Sequence, residues 1–184
     1  MSRTVPKDKS SLIELQIKEL SQGNTQALSS LYELIKTDIY AYALSKLANK
    51  QDAEDITHDT FVQIYKNARL YTPQGKPLAW VFTIELNLIR RLCNLNKPSL
   101  SLNEAIEVKS SETDFSTNIV EGDFLNQMLK ILCEEERSII TLHIVSGLKH
   151  REIADLLGKP LSTILSKYNR AIKKLQEHAK EVEK

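Results

Sequence analysis

Residues 149–175, "KHREIADLLGKPLSTILSKYNRAIKKL", constrain the fold more tightly than any other part of the chain. A short helical pattern centred on Ala154 is followed by a turn containing Gly158 and Pro160, and then by a longer helical pattern. Two helices that cross at a steep angle approach closely only over a small side chain, which Ala154 provides. With Ser162 as the expected N-cap of the second helix, this order predicts a helix-turn-helix.

The second of these helices is predicted to have one apolar face and one polar face. At about 100° per residue, a core-facing set lies within roughly 40° of Ile164. This set is Ile164, Tyr168, Ala171 and Leu175. The opposite face contains Ser166, Asn169, Arg170 and Lys173, with Leu165 on one flank and Lys167 and Lys174 on the other. Arginine and asparagine can hydrogen-bond base edges and lysine suits phosphates, so we expect DNA binding; a solvated amphipathic helix is the alternative.

The composition favours an all-α fold. Among 184 residues, 41% are hydrophobic, which excludes wholesale disorder, and glycine and proline number only five each. Helical patterns are expected from Ser10 to near Gly23, from Thr25 to about Leu47, from an Asp52 N-cap to about Ala68, and over 78–92.

Two small helical domains are predicted, at 1–95 and 123–184, joined by a flexible acidic linker at 96–122. The linker region is rich in serine and threonine, lacks periodicity, and is too long for an ordinary loop. The formal net charge is only +1. A chain that binds nucleic acid through its own field is usually more basic, so a large partner must supply binding energy if DNA is the target.

The third predicted helix has an acidic face. One side contains Ala53, Ile56, Thr60 and Ile64, with Phe61 beside them, and the other contains Asp55, His58, Asp59 and Val62. Carboxylates around one apolar residue suit docking onto a basic protein surface, although a solvated face is an equal alternative. A metal site is disfavoured because all its ligands would come from one helical turn.

A polar loop with Tyr71, Gln74 and Lys76 precedes Trp80 and a strongly apolar helix. A single tryptophan is most often a core residue. Beside this loop it could instead flank a pocket for an unstacked base, which the amide of Asn87 could hydrogen-bond.

Other functional classes are disfavoured by what the chain lacks. Cys93 and Cys133 lie in unrelated contexts without metal-ligand spacing, so both are expected to be buried or neutral thiols. There is no segment typical of a signal peptide or membrane span, and we expect a cytoplasmic protein without membrane insertion. No catalytic nucleophile, base and oxyanion set can be assembled, so no enzyme, small-molecule substrate, cofactor or metal is expected.

Three stretches in this order resemble the two-domain, extracytoplasmic-function (ECF) type of sigma factor of bacterial RNA polymerase. "DAEDITHDTFVQIYKN" (52–67) resembles the core-binding helix of region 2, and "AWVFTIELN" (79–87) is similar to its promoter-melting segment. "EEERSIITLHIVSGLKHREIADLLGKPLSTILSKYNRAIKKL" (134–175) resembles the region 4 helix-turn-helix. The resemblance implies binding to core RNA polymerase and promoter-specific initiation of transcription.

The resemblance also implies a role for each surface. The clamp helices of the largest polymerase subunit would be bound by Asp52, Glu54, Asp55, His58, Asp59 and Val62, with Phe61 packed inside. Single-stranded bases of the downstream promoter element would be captured by Tyr71, Gln74, Lys76, Trp80, Thr83, Asn87, Arg90 and Arg91. The upstream element would be contacted by Leu165, Ser166, Lys167, Asn169, Arg170 and Lys173. The polymerase flap and an anti-sigma factor are further implied partners.

Several positions depart from the usual pattern of that family. His58, Thr83, Glu85, Cys133 and Lys167 each replace a more usual residue, and Leu165 stands where a cation is usual. We expect Glu85 and Leu165 to weaken unaided DNA binding. The alternative functions are a helix-turn-helix regulator of another class and a sigma mimic that sequesters an anti-sigma factor.

Overall fold

The computed structural model describes residues 8–95, the N-terminal lobe, and 130–182, the C-terminal lobe. Within those residues the chain is entirely helix and connecting loop, without strands, as predicted. The α-helices are α1 (Lys9–Ser21), α2 (Gln26–Leu47), α3 (Lys50–Asn67), α4 (Pro77–Leu95), α5 (Glu134–Ile140), α6 (His150–Leu157) and α7 (Leu161–Val182). A 3-10 turn (Ala68–Leu70) follows α3, and a π-helical turn (Thr141–Val145) follows α5. The predicted acidic linker at 96–122 lies outside the described residues.

The helix α3 begins earlier than predicted. Its N-cap is Asn49, whose side chain accepts a hydrogen bond from the backbone N–H of Asp52 at 3.1 Å, so the expectation of Asp52 as N-cap is wrong. Asn49 lies in extended backbone three residues upstream and satisfies the N–H of Asp52, so the helix has already begun before the aspartate. Asp52 lies in the first turn, where its negative charge still interacts favourably with the positive end of the helix dipole.

The prediction that Ser162 is the N-cap of the second helix of the helix-turn-helix is also wrong. The carbonyl of Pro160 accepts hydrogen bonds from the backbone N–H groups of Thr163 (3.0 Å) and Ile164 (3.2 Å). Helix α7 therefore begins at Leu161 and places Ser162 inside the first turn. The turn itself is as predicted: Gly158 ends α6 in the left-handed region at φ 64°, which glycine adopts without steric cost.

The N-terminal lobe has a core between its four helices. Buried residues of α1 (Ile13, Ile17), α2 (Leu31, Ile35), α3 (Phe61, Ile64) and α4 (Val81) belong to one apolar cluster. On α3 the predicted inward set of Ala53, Ile56, Thr60 and Ile64 is fully buried, with Phe61 beside it. The 3.6-residue period thus identified the buried side of this helix correctly.

A second apolar cluster joins the two lobes, which the sequence analysis did not predict. It contains Tyr42 and Phe82 of the N-terminal lobe, whose rings meet edge to face at 5.3 Å, together with Leu142, Ile153 and Ile164 of the C-terminal lobe. The lobes of this structure are therefore packed against each other.

Two polar contacts cross the same boundary. The buried guanidinium of Arg137 donates through Nε to the carbonyl of Ser45 at 3.0 Å. The Lys46 ammonium donates to the Glu134 carboxylate at 2.7 Å. Both partners on α2 lie in its last turn, so these contacts attach α5 to the end of that helix.

Neither cysteine is buried. Cys93, near the end of α4, and Cys133, just before α5, are both exposed and free. Each lies at a helix end, where an apolar neighbourhood is incomplete, and composition does not distinguish such positions from interior ones.

Glu135 fixes the packing of α5 against the helix-turn-helix, and its contacts predict a specific acid sensitivity. Its carboxylate pairs with Lys159 and Lys167, whose hydrogen bonds lower its pKa from the usual 4.5 to about 2. Because the folded-state pKa is the lower one, the pairing stabilises the fold above about pH 4.5 and is lost as the pH falls towards 2.

We predict that Glu135→Gln lowers the free energy of unfolding by up to about 1 kcal/mol at pH 7, since the pair is partly exposed to solvent. The deficit should shrink steadily as the pH falls from 4.5 towards 2. Denaturant unfolding at a series of pH values measures this, with Glu177→Gln on the exposed end of α7 as the control. A deficit that does not change with pH would contradict the assignment.

Candidate nucleic-acid interface

Helix α7 presents a polar face to solvent, as predicted. Ser162, Leu165, Ser166, Asn169, Arg170 and Lys173 are all exposed. On the other side Ile164 and Ala171 are fully buried. Tyr168 packs edge to face against the rings of His143 (5.0 Å) and His150 (4.7 Å), so it is a packing residue of the helix-turn-helix, as predicted.

Lys167 does not share that face. It is half-buried and its ammonium is paired with Glu135, whose hydrogen bond raises the lysine pKa. Lys174 is likewise paired, with Glu136 at 2.7 Å. The sequence could not show this, because the acidic partners lie more than thirty residues away along the chain. In this arrangement the cations on the exposed face are Arg170 and Lys173.

A cavity of about 420 Å³ opens beside the loop that precedes α4. The rings of Tyr71 and Trp80 lie 5.0 Å apart in its wall, tilted by 57°. Gln74, Lys76 and Thr83 also line it. The predicted base-binding loop, Trp80 and the first turns of α4 are thus brought together around one cavity with two aromatic rings in its wall.

Glu14 of α1 holds this loop in place, and the sequence analysis did not identify it. One of its carboxylate oxygens accepts hydrogen bonds from the Tyr71 hydroxyl at 2.8 Å and from the Gly75 backbone N–H at 3.2 Å. Burial and this hydrogen bond raise the pKa of Tyr71, so the hydroxyl stays protonated and continues to donate. No local signal marks Glu14, because its partners lie about sixty residues away.

The C-terminal lobe closes one side of the cavity. Glu152, Asp155 and Leu156 of α6 complete its lining. The Glu152 carboxylate accepts the Lys149 backbone N–H at 2.8 Å, which caps α6. Asp155 is exposed. Carboxylates in this wall oppose the entry of a polyanion while the lobes remain in contact.

A stripe along α4 extends from the cavity. Its members are Trp80, Thr83, Asn87, Arg90 and Arg91, spaced for a single helix face. All except the half-buried Trp80 are exposed, and the Thr83 hydroxyl is satisfied by the Ala79 carbonyl at 2.8 Å. At 1.5 Å per residue the stripe is about 16 Å long. It ends in two cations suited to a phosphate backbone.

Glu85, which was expected to weaken unaided DNA binding, does not belong to this surface. It is 0% exposed, and its carboxyl group lies against the backbone of Ala43 on α2. Burial raises its pKa well above the usual value, which favours the neutral acid. The signal was present in the sequence: Glu85 is spaced three or four residues from the buried Val81, Phe82 and Ile89.

The acidic face of α3 is exposed as predicted. Glu54, Asp55, His58 and Asp59 face solvent, and Asp52 and Val62 are half-buried at its edges. Phe61 packs inside against Tyr32, with ring centroids 4.8 Å apart.

Beside this face lies a second cavity, of about 370 Å³, which the sequence analysis did not identify. Glu54, His58 and Thr57 of α3 and Tyr32, Lys36 and Tyr40 of α2 line it. The tyrosines are eight residues apart on α2, which is the spacing of one helix face and could have indicated them. Two tyrosine rings beside Lys36, Glu54 and His58 give this cavity the mixed apolar and charged character of protein-docking surfaces.

In 8–95 and 130–182 no three His, Cys, Asp or Glu side chains are grouped closely enough to hold a metal ion. Across the same ranges, none of the helices is both long and apolar enough to cross a membrane.

Comparisons with known proteins agree with this arrangement. Residues 31–97 match the family described as Sigma-70 region 2, and residues 125–175 match Sigma-70, region 4. The ECF RNA polymerase sigma factor SigW of Bacillus subtilis is 22% identical over 93% of this chain and 98% of its own length.

Two solved structures share the fold. CnrH, in complex with the cytosolic domain of CnrY, superposes with a TM-score of 0.62 at 20% identity, covering 92% of this chain and 98% of that one. The sigma factor RpoE of Bartonella quintana, in complex with the anti-sigma factor NepR, gives 0.59 at 23% identity, covering 83% and 96%. With region 2 and region 4 both matched in order, the chain belongs to the sigma-70 family of RNA polymerase sigma factors, and within it to the ECF group.

Proposed function

We propose that this protein binds core RNA polymerase in the cytoplasm and directs it to promoters through two separate DNA contacts. The observation that supports this most directly is the pair of nucleic-acid surfaces on one chain, the aromatic cavity with its α4 stripe and the exposed face of α7. The protein itself makes and breaks no bonds and uses no cofactor or metal. Its role is to position the polymerase and to hold the opened strand.

The upstream promoter element is assigned to α7. Asn169 and Arg170 have side chains that can hydrogen-bond adenine and guanine edges, and Lys173 is placed for a phosphate. Lys167 can join them only if it leaves Glu135. With only Arg170 and Lys173 as cations on this face, the DNA affinity of α7 alone is small, and the polymerase supplies the remainder.

The downstream element is assigned to the N-terminal lobe. A base that leaves the stack can enter the cavity against Tyr71 and Trp80, and stacking there offsets an unstacking cost of a few kcal/mol. Asn87 and the two arginines then follow the strand along α4. Gln74 and Lys76 lie on the loop at the entrance.

The acidic face of α3 is assigned to the polymerase. Asp52, Glu54, Asp55, His58, Asp59 and Val62 would meet the clamp helices of the largest subunit, with the neighbouring cavity accepting an apolar side chain. The C-terminal lobe would reach the flap, and an anti-sigma factor would compete for these surfaces. The functional division is 1–95 for core binding and melting, 96–122 for the connection, and 123–184 for upstream recognition.

Transcription in vitro with core polymerase and genomic promoter fragments tests the function directly. We expect the protein to bind core and to give discrete start sites that core alone does not give. Binding to an anti-sigma factor without specific initiation would instead identify a sigma mimic. DNA binding without any affinity for core would identify a regulator of another class.

We predict that the double change Asp55→Lys and Asp59→Lys weakens core binding by about tenfold or more, because it reverses charge on a face that meets a basic surface. Both side chains are exposed, so the helical content should be unchanged by circular dichroism. Titration of labelled protein with core measures the affinity. Glu177→Lys, an exposed carboxylate of α7, is the control and should bind as the wild type does. If the double variant and the wild type bind core with equal affinity, α3 is not part of the interface.

We predict that Asp155→Asn raises the affinity of the free protein for a single-stranded downstream-element oligonucleotide by roughly threefold, since one negative charge leaves the cavity wall. The measurement is fluorescence anisotropy at low salt. The control is Glu33→Gln, which removes an exposed charge on α2 and should have no such effect. An equal gain for the two variants would mean that only net charge matters.

A further inference from the structure

Leu165 is a large aliphatic side chain on the DNA-facing part of α7, and it has no packing role in the described structure. It is 40% exposed. The neighbouring Leu161, Tyr168 and Ile172 each pack against an apolar cluster, but Leu165 belongs to none of the clusters formed by the described residues. Leu165 is therefore not a core residue that its neighbours cover only in part.

The surroundings of Leu165 form an uncharged stripe. Ser162, Leu165, Ser166 and Asn169 follow the i, i+3, i+4, i+7 spacing of one helix face, and all are exposed. Arg170 and Lys173 border the stripe. The two lysines closest in sequence, Lys159 and Lys167, are drawn away by Glu135. The first turns of α7 thus present neutral side chains in the centre, with cations at the edge.

This layout fits the chemistry of the major groove. Recognition helices contact base edges with their N-terminal residues, while cations contact the phosphates at the sides. Leucine offers no hydrogen bond, and the thymine C5-methyl is the apolar group that base edges present in the major groove. A methyl group covered by Leu165 loses contact with water, which stabilises the complex.

We propose that Leu165 contacts the C5-methyl of a thymine in the upstream element, while Asn169 hydrogen-bonds a nearby adenine. This rests on the proposed function, in which α7 meets the upstream element. Four residues of helix advance about 6 Å, and base pairs are spaced about 3.4 Å apart, so the two contacts fall within about two base pairs. The upstream element is therefore expected to contain a short A·T-rich step.

The test replaces each thymine of the upstream element by deoxyuridine, one at a time, which removes the methyl group and leaves all hydrogen bonds unchanged. Holoenzyme formed from core polymerase and the full chain is titrated with each duplex. For the wild type we expect one position where deoxyuridine binds about fourfold more weakly, which corresponds to about 0.8 kcal/mol for one buried methylene-sized group. Leu165→Ala should bind thymine and deoxyuridine equally at that position.

The matched control is Ile144→Ala, which truncates an exposed aliphatic side chain on the π-helical turn of the same lobe. It should keep the wild-type ratio of thymine to deoxyuridine binding. The proposal is overturned if the wild type is indifferent to every substitution, or if Leu165→Ala keeps the fourfold ratio. In either case specific initiation by the wild type would still support the proposed function, whose failure would appear as a lack of start sites.

Discussion

The contact between Arg137 and the end of α2 is the interaction on which the arrangement of the two lobes depends. Arg137 is 8% exposed, and its guanidinium donates to the Ser45 carbonyl (3.0 Å) and to the Leu132 carbonyl (2.9 Å). Ser45 lies in the last turn of α2, where carbonyls lack helical partners and the helix dipole is negative. A buried cation is tolerated only when such acceptors surround it. The guanidinium and the carbonyls thus satisfy one another's hydrogen bonds, and separating the two lobes must return both groups to water.

The position of α6 follows from this contact. With α5 attached to the end of α2, Leu142 and Ile153 pack with Tyr42 and Phe82, and α6 comes to lie against α4. The aromatic cavity consequently has a wall from each lobe. The net charge of the chain is only +1, and carboxylates of the C-terminal lobe face the proposed nucleic-acid surface of the N-terminal lobe.

Local patterns predicted much of this structure, and distant pairings account for what was missed. The buried side of α3, the exposed face of α7 and the turn at Gly158 follow from periodicity and backbone preference, which act within a few residues. Asn49 displaced Asp52 as a cap because two acceptors competed for the start of one helix. The pairing of Lys167 with Glu135 and the support of Tyr71 by Glu14 depend on tertiary packing, for which a single sequence has no local signal. Glu85 was an error of interpretation, since its spacing from buried neighbours already placed it inside.

The burial of Glu85 has a mechanical consequence for α4. Its carboxyl group and the Tyr42 hydroxyl are both enclosed between α2 and α4, and a buried polar group whose hydrogen bonds are incomplete costs about 1–3 kcal/mol. That cost falls on the contact between α2 and α4, while Val81 still joins α4 to the core of α1 and α3. The helix whose outer face bears Trp80, Asn87 and the two arginines is therefore attached to α2 less firmly than its apolar contacts alone would make it.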